Sequence, residues 1–146
     1  MSSTVFTNGC FDVLHRGHIE YLEKSKALGD KLIVGLNADA SVRVLKPGRP
    51  INTQDDRRAV LLALRCVDEV IIFDEPTPLE LIQRINPDII TKGGDYSLEQ
   101  VVGAKIAQRT VIIPFLDGYS STRIINATQG HGRQRVGFGA NLGYKR

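Results

Sequence analysis

In the stretch Thr7-Asn8-Gly9-Cys10-Phe11-Asp12-Val13-Leu14-His15-Arg16-Gly17-His18, two histidines three residues apart bracket a glycine. The apolar pair Val5-Phe6 precedes them, and Ile19, Leu22 and Leu28 follow at helical spacing. The pattern predicts a strand, a glycine-bearing turn and a helix start, with His15 and His18 at that start. A helix N-terminus offers unpaired N–H groups and the positive end of its dipole, which suits phosphate oxygens, and two imidazoles add further donors. Gly17, without a side chain, lets a ligand come close to the backbone. The chemistry implied is the binding of a polyphosphate. The same spacing would also suit a metal pair, with Asp12 as the one acidic ligand nearby, or a helix start that is merely polar.

Other residues able to join such a site fall where strands are expected to end. Asn37 and Asp39 follow the run Leu32-Ile33-Val34-Gly35-Leu36 and are candidates for binding hydroxyls of a substrate, although Asp39 would equally serve as a helix N-cap. Lys46 and Arg49 lie in a loop marked by Pro47, Gly48 and Pro50, from which a lysine can reach a triphosphate as a point charge or simply stay solvated. Thr53 caps the next expected helix, near whose start Arg57 is a candidate substrate ligand. Lys92-Gly93-Gly94-Asp95-Tyr96 follows a strand as a second ligand-facing loop, with a plain turn as the competing account. Ser120, Ser121 and Thr122 precede a last helical stretch, where capping accounts for one hydroxyl and phosphate binding for all three.

The elements that must position these residues are legible as five apolar runs alternating with helical patterns, the mark of a single doubly wound, Rossmann-like α/β domain on a five-stranded parallel sheet. Helices are expected with Val60, Leu61, Leu64 and Val67 on one buried face, with Leu79, Ile82 and Ile85 on another, and with Val101, Val102 and Ile106 on a third. The 146 residues suit one domain. Residues 1–127 form it, and 128–146 read as a glycine-rich, basic, mobile tail. Gly137 to Gly143 is no dinucleotide fingerprint, being one residue too long and following no strand. The net charge of +3 comes from the far end, because residues 118–146 hold five basic side chains and no acid, leaving 14 basic against 16 acidic in residues 1–117. The domain is thus no basic nucleic-acid binder. Without a membrane-length apolar run or a leader pattern, a cytoplasmic protein is expected. Cys10 and Cys66 have no metal or redox spacing.

Taken together, the His-x-Gly-His stretch, Lys46, Lys92-Gly93-Gly94-Asp95-Tyr96 and Asp117-Gly118-Tyr119-Ser120-Ser121-Thr122 resemble the cytidylyltransferase-like branch of the HxGH nucleotidyltransferase superfamily over residues 4 to about 127. Within it, the lysine-glycine-glycine loop and the Asp-Gly-x-Ser-Ser-Thr ending resemble the adenylyltransferases that make ADP-heptose from D-glycero-β-D-manno-heptose 1-phosphate. Glycerol-phosphate and choline-phosphate cytidylyltransferases typically carry Arg-Thr-Glu-Gly-Ile-Ser where this chain has Phe115-Leu116-Asp117-Gly118-Tyr119-Ser120. A cytidylyltransferase making CDP-glycerol is the alternative, and a nucleotide-binding regulator without turnover a third reading. The resemblance implies His15, His18 and Lys46 in catalysis. It implies Gly9, Phe11, Asp12, Gly17, Lys92, Gly93, Asp95, Ser120, Ser121 and Thr122 around the nucleotide, and Asn37, Asp39 and Arg57 toward a sugar 1-phosphate. ATP would bring Mg²⁺ as its companion, with no metal site of the protein's own. Many such domains are fused to a sugar kinase, for which this length leaves no room, so the kinase step is expected on another chain. Dimers are common in the resembled family, so a homodimer is expected.

Overall fold

The computed structural model describes residues 2–94 and 96–128. Asp95 and the expected tail beyond residue 128 lie outside the described residues. In chain order the elements are β1 (Thr4–Gly9), α1 (Arg16–Lys26), β2 (Lys31–Asn37), α2 (Asp39–Leu45), α3 (Gln54–Leu62), β3 (Glu69–Phe73), α4 (Leu79–Ile85), β4 (Ile89–Gly93), a 3-10 turn at Leu98–Gln100 and β5 (Arg109–Ile113). A last helix, α5, covers 121–128. All strand pairs are parallel, in the order β3-β2-β1-β4-β5.

Side chains alternate across a strand, so neighbouring residues feed two cores. Val5, Leu32, Val34, Leu36, Val70 and Ile89 pack with Leu22 of α1 and Leu61 of α3 on one face. Phe6, Ile33, Phe73 and Ile90 pack with Leu81 and Ile82 of α4, Val101 and Ala107 on the other. That is the doubly wound arrangement, and it explains why the strands read as continuous apolar runs. Among the described residues no helix is long and apolar enough to cross a membrane.

Four expectations need correction. Val101 to Ile106 is not a helix: Val101 is extended and Gly103 sits at φ +85°, so the segment proceeds through turns. Its apolar side chains are core residues all the same, and a Cβ on Gly103 would stand 2.8 Å from Ile82 Cδ1. On α3, the inward positions are Arg57 and Leu61, four apart, which turns Val60 out to solvent. On α4, Leu81 and Ile82 are buried and Leu79 is exposed. Leu28 packs against the core from beyond the end of α1.

The order reverses at β1, and there the sheet opens. β1 pairs with β4 only through Val5–Ile89 and Phe6–Ile90. Beyond those pairs, hydroxyls bridge the gap: Tyr21 Oη lies 2.7 Å from Thr7 Oγ1 and 3.1 Å from Thr91 Oγ1, and Ser25 Oγ lies 2.9 Å from Thr91 Oγ1. A crevice at the carboxyl ends of strands, at the switch point, is where open α/β sheets bind ligands.

Gly35 in β2 makes room for the buried ring of Phe6, since a Cβ there would lie 2.7 Å from Phe6 Cζ and 3.2 Å from Leu81 Cδ2. Gly35→Ala is expected to destabilise the fold by about 1–3 kcal/mol through overpacking, read as a lower urea midpoint at unchanged slope. An unchanged midpoint would show that the core can yield there.

Candidate active site

The two histidines cap α1 reciprocally. His15 is the N-cap, and its Nδ1 accepts the Gly17 N–H at 3.0 Å, while Nδ1 of His18 accepts the His15 N–H at 3.2 Å. The spacing of three therefore does act as a helix cap, of the capping-box kind. It does more, because a neutral imidazole that accepts at Nδ1 carries its proton at Nε2. Both rings thus present an Nε2–H donor, with centroids 4.0 Å apart. Burial is the main reason His18 falls from 6.5 to about 4, helped by the charges of His15 and Lys46, and burial also lowers His15. Two neutral donors stand side by side at neutral pH. Gly17 is required by this geometry, because a Cβ there would lie 2.8 Å from His15 Cε1 and 3.1 Å from Tyr119 Cβ.

The loop from β1 to this cap is strained. Phe11 and Val13 have φ of +47° and +56°, uncommon for any residue with a side chain and most so for a β-branched one. Phe11 folds its ring back over Gly9, where a Cβ would meet it at 3.0 Å, and stands 5.6 Å from the His18 ring. The Val13 carbonyl accepts Ser121 Oγ–H at 2.9 Å. Asp12 is buried between these two residues, and its carboxylate accepts from Ile51 N–H at 2.7 Å, Asn52 N–H at 3.0 Å and Arg49 Nε at 3.0 Å. Burial pushes its pKa up, but the two backbone donors and the guanidinium outweigh it and hold the carboxyl below its ordinary value. Asp12 therefore pins the loop that follows Lys46.

Arg57, 2% exposed, holds the ends of the strands. Its Nη1 donates to the carbonyls of Cys10 at 2.8 Å and Asn37 at 2.9 Å, Nε to that of Asn52 at 2.9 Å, and Nη2 to Asp39 Oδ1 at 2.8 Å. Asp39 is not the N-cap of α2, which is Ala38, but lies in its first turn. Asn37 is buried, and its Nδ2 donates to Ser41 Oγ at 3.3 Å. Lys46, at the C-terminal end of α2, is exposed and near enough to the histidines to act on His18.

Each hydroxyl at the start of α5 has a protein partner. Ser120 Oγ accepts the Arg123 N–H at 3.0 Å, Ser121 reaches Val13, and Thr122 Oγ1 accepts from Arg49 Nη1 at 3.4 Å. The start of α5 is thus tied to the loop before α1. On the far side of the crevice, burial lowers the pKa of Lys92, against the pull of the nearby Cys10, and Lys92 Nζ lies 4.8 Å from the Tyr96 ring centroid. Gly93 and Gly94 lie beneath the ring of Phe115, and Tyr119 stacks beside His15 at 6.1 Å.

The structure so gathers His15, His18, Gly17, Lys46, Asn37, Asp39, Ser121 and Thr122 near the ends of β1 and β2, with Lys92 and Gly93 across the gap. Sequence reasoning gave no role to Arg49, Phe115 or Tyr119. The Pro-Gly-Arg-Pro loop signalled the first, and aromatic residues following the end of β5 signalled the others.

A doubly wound parallel sheet with a helix start at its switch point places the chain in the α/β class whose ligands bind at the carboxyl ends of the strands. Residues 6–127 match the family described as cytidylyltransferase-like, and the chain belongs to that family. It is 56% identical over 127 residues to the bifunctional protein HldE of Wolinella succinogenes, covering 86% of this chain and 27% of that one. With HldE of Helicobacter pylori (strain Shi470) it shares 54% over 122 residues, 83% of this chain and 26% of the relative. The chain spans about a quarter of the length of these curated relatives. Among solved structures, the lipopolysaccharide core biosynthesis protein of Thermoplasma volcanium aligns with a TM-score of 0.70 at 33% identity, over 80% of this chain and all of that one. A pantoate-β-alanine ligase from Francisella tularensis, at 18% identity and a TM-score of 0.56 over 88% of this chain and 69% of that one, shares the fold alone.

The lowered His18 pKa has a consequence for stability. Between about pH 6.5 and 4 the unfolded chain binds a proton on His18 that the folded chain refuses, so stability present above pH 6.5 is lost as pH falls through this window. His18→Gln keeps an acceptor for the His15 N–H and removes the titration. Its Tm is expected to drop less between pH 7 and pH 5 than that of the wild type, and equal drops would contradict the assignment.

Proposed function

We propose that the chain is an adenylyltransferase that joins AMP from ATP to D-glycero-β-D-manno-heptose 1-phosphate, giving ADP-heptose and pyrophosphate for lipopolysaccharide or another surface glycan. The observation that carries nucleotidyl transfer is the pair of capped, neutral imidazoles with free Nε2–H groups at the switch point. Support for the substrate comes from the resemblance of the two loops to ADP-heptose enzymes, from the similarity to the HldE proteins and from the likeness to a lipopolysaccharide core biosynthesis protein.

The acceptor is already an anion. Its phosphate oxygen attacks the α-phosphorus, the bond from that phosphorus to the bridging oxygen breaks, and pyrophosphate leaves with the electron pair. No covalent intermediate or strong base is needed, only alignment and donors aimed at the growing charge. His15 and His18 donate to the α-phosphate and bridging oxygens, and Lys46 supplies a mobile positive charge. Ser120, Ser121 and Thr122, with the start of α5, face the β and γ phosphates. Gly9, Phe11, Gly17, Lys92 and Gly93 line the nucleotide pocket, with Asp12 acting through the loop it pins; Asp95, assigned to the nucleotide by the resemblance, lies outside the described residues. Asn37 and Asp39 face the acceptor, and Arg57 holds them in place. Among the described residues no cluster of three or more His, Cys, Asp or Glu side chains could hold a metal ion. Mg²⁺ is proposed to come with the nucleotide substrate, held mainly by the triphosphate oxygens. The cytoplasm, which holds ATP and sugar phosphates, is the proposed location.

Pyrophosphate release from four nucleotides crossed with heptose 1-phosphate and glycerol 3-phosphate tests this reading. kcat/KM for ATP with the heptose is expected to exceed that for CTP with glycerol phosphate by at least ~100-fold, because a small polyol leaves polar groups of the sugar pocket unpaired. His15→Ala and His18→Ala should each lower kcat by about 100-fold or more. Equal rates for the two pairs would overturn the substrate, and wild-type turnover in both variants the site.

A further inference from the structure

We propose that the exposed face of Phe115 is the stacking surface for the nucleobase, and so the residue that binds adenine; this rests on the nucleotide-binding reading above. Among the described residues the aromatic side chains divide sharply. Phe6, Phe11 and Phe73 are buried and Tyr21 half-buried, whereas Tyr96, Phe115 and Tyr119 are 46%, 70% and 42% exposed. All three exposed rings follow the carboxyl ends of β4 and β5, on the ligand side of the sheet.

Phe115 is the most exposed of them, and its position is built. One side of its ring rests on the backbone of Gly93 and Gly94, where added Cβ atoms would lie 2.9 and 2.4 Å from ring carbons. Gly94 has φ +91°, and its N–H donates to the Ile113 carbonyl at 3.0 Å, which draws the end of β4 against the end of β5 beneath the ring. Two adjacent glycines make a flat seat for one aromatic face while the other stays in water. Leaving an apolar ring so exposed is unfavourable, and a flat apolar partner would remove the cost.

The seat is joined to the start of α1 by contacts on two sides. Gly93 lies between Phe115 and Tyr21 of α1, with a Cβ there 3.4 Å from Tyr21 Cε1. Four residues after Phe115, Tyr119 stacks against His15. The segment from Phe115 to Tyr119 therefore runs from the ring on the glycine seat to the imidazoles, the direction a nucleotide must take from base to α-phosphate. Every base has a π-face, and a two-ring purine covers more of a phenyl face than a pyrimidine does.

The test uses the full chain, which contains no tryptophan. Phe115→Ala is expected to weaken ATP binding by about tenfold or more, the scale of losing one stacked base, while tripolyphosphate, which has no base, binds within twofold of wild type. In Phe115→Trp the sole indole should be quenched saturably by ATP and not by tripolyphosphate. Unchanged ATP affinity in the alanine variant, equal weakening of ATP and tripolyphosphate, or ATP binding to the tryptophan variant without quenching would each overturn the assignment and leave nucleotide binding standing. Failure of the wild type to bind ATP or CTP would overturn the reading on which it rests.

Discussion

An arginine with 2% of its surface in water can exist only if nearly every guanidinium N–H has an acceptor, and Arg57 meets that demand with three carbonyls and one carboxylate. The acceptors come from the loop after β1, the end of β2, the loop before α3 and the first turn of α2. One buried cation therefore ties together four segments at the mouth of the sheet. The strained backbone at Phe11 and Val13 persists because it is held from both sides, by Arg57 on the Cys10 carbonyl and by Ser121 on that of Val13. Asp12, between the strained residues, extends the frame to Ile51 and Asn52.

The frame leaves the histidines with one job done and one atom free. Each spends Nδ1 on a backbone N–H that a helix start would otherwise leave unpaired, so capping and chemistry use opposite edges of the same ring. Depressed basicity fits this use. On the proposed reading, a neutral donor hydrogen-bonds to a phosphate oxygen without the strong ground-state attraction of a full positive charge, and Lys46, exposed at the end of α2, would supply charge from outside.

Much of this was legible in the sequence because hydrophobic period and turn chemistry are local. Five strands, the cap at Thr53 and the histidines at the start of α1 follow from spacing alone. What failed depended on packing partners distant in sequence. Val101 to Ile106 has helical spacing, yet Gly103 adopts a left-handed conformation close to Ile82 and Ile90, and no helix forms. Val60 was expected inside, but the sheet ends needed a cation there and Arg57 took the inward position. The site divides along the same line. Residue types at strand ends are visible in a sequence, whereas the use of Asp12 and Arg57 as internal ties appears only when Asn52, Cys10 and Asn37 are brought together. Arg49 and Phe115 were marked only by a loop and a strand end, and their meaning came from Asp12, Thr122 and the Gly93-Gly94 seat.

The central claim is that two neutral imidazoles point protonated Nε2 atoms into the crevice. It is tested most directly by ¹⁵N NMR of the histidine side chains in the full chain at pH 7, with His15 and His18 assigned from single substitutions. Both rings are expected as the neutral Nε2–H tautomer, and His18 should remain so well below pH 6. An imidazolium at either position at pH 7, or a proton resident on Nδ1, would contradict the account.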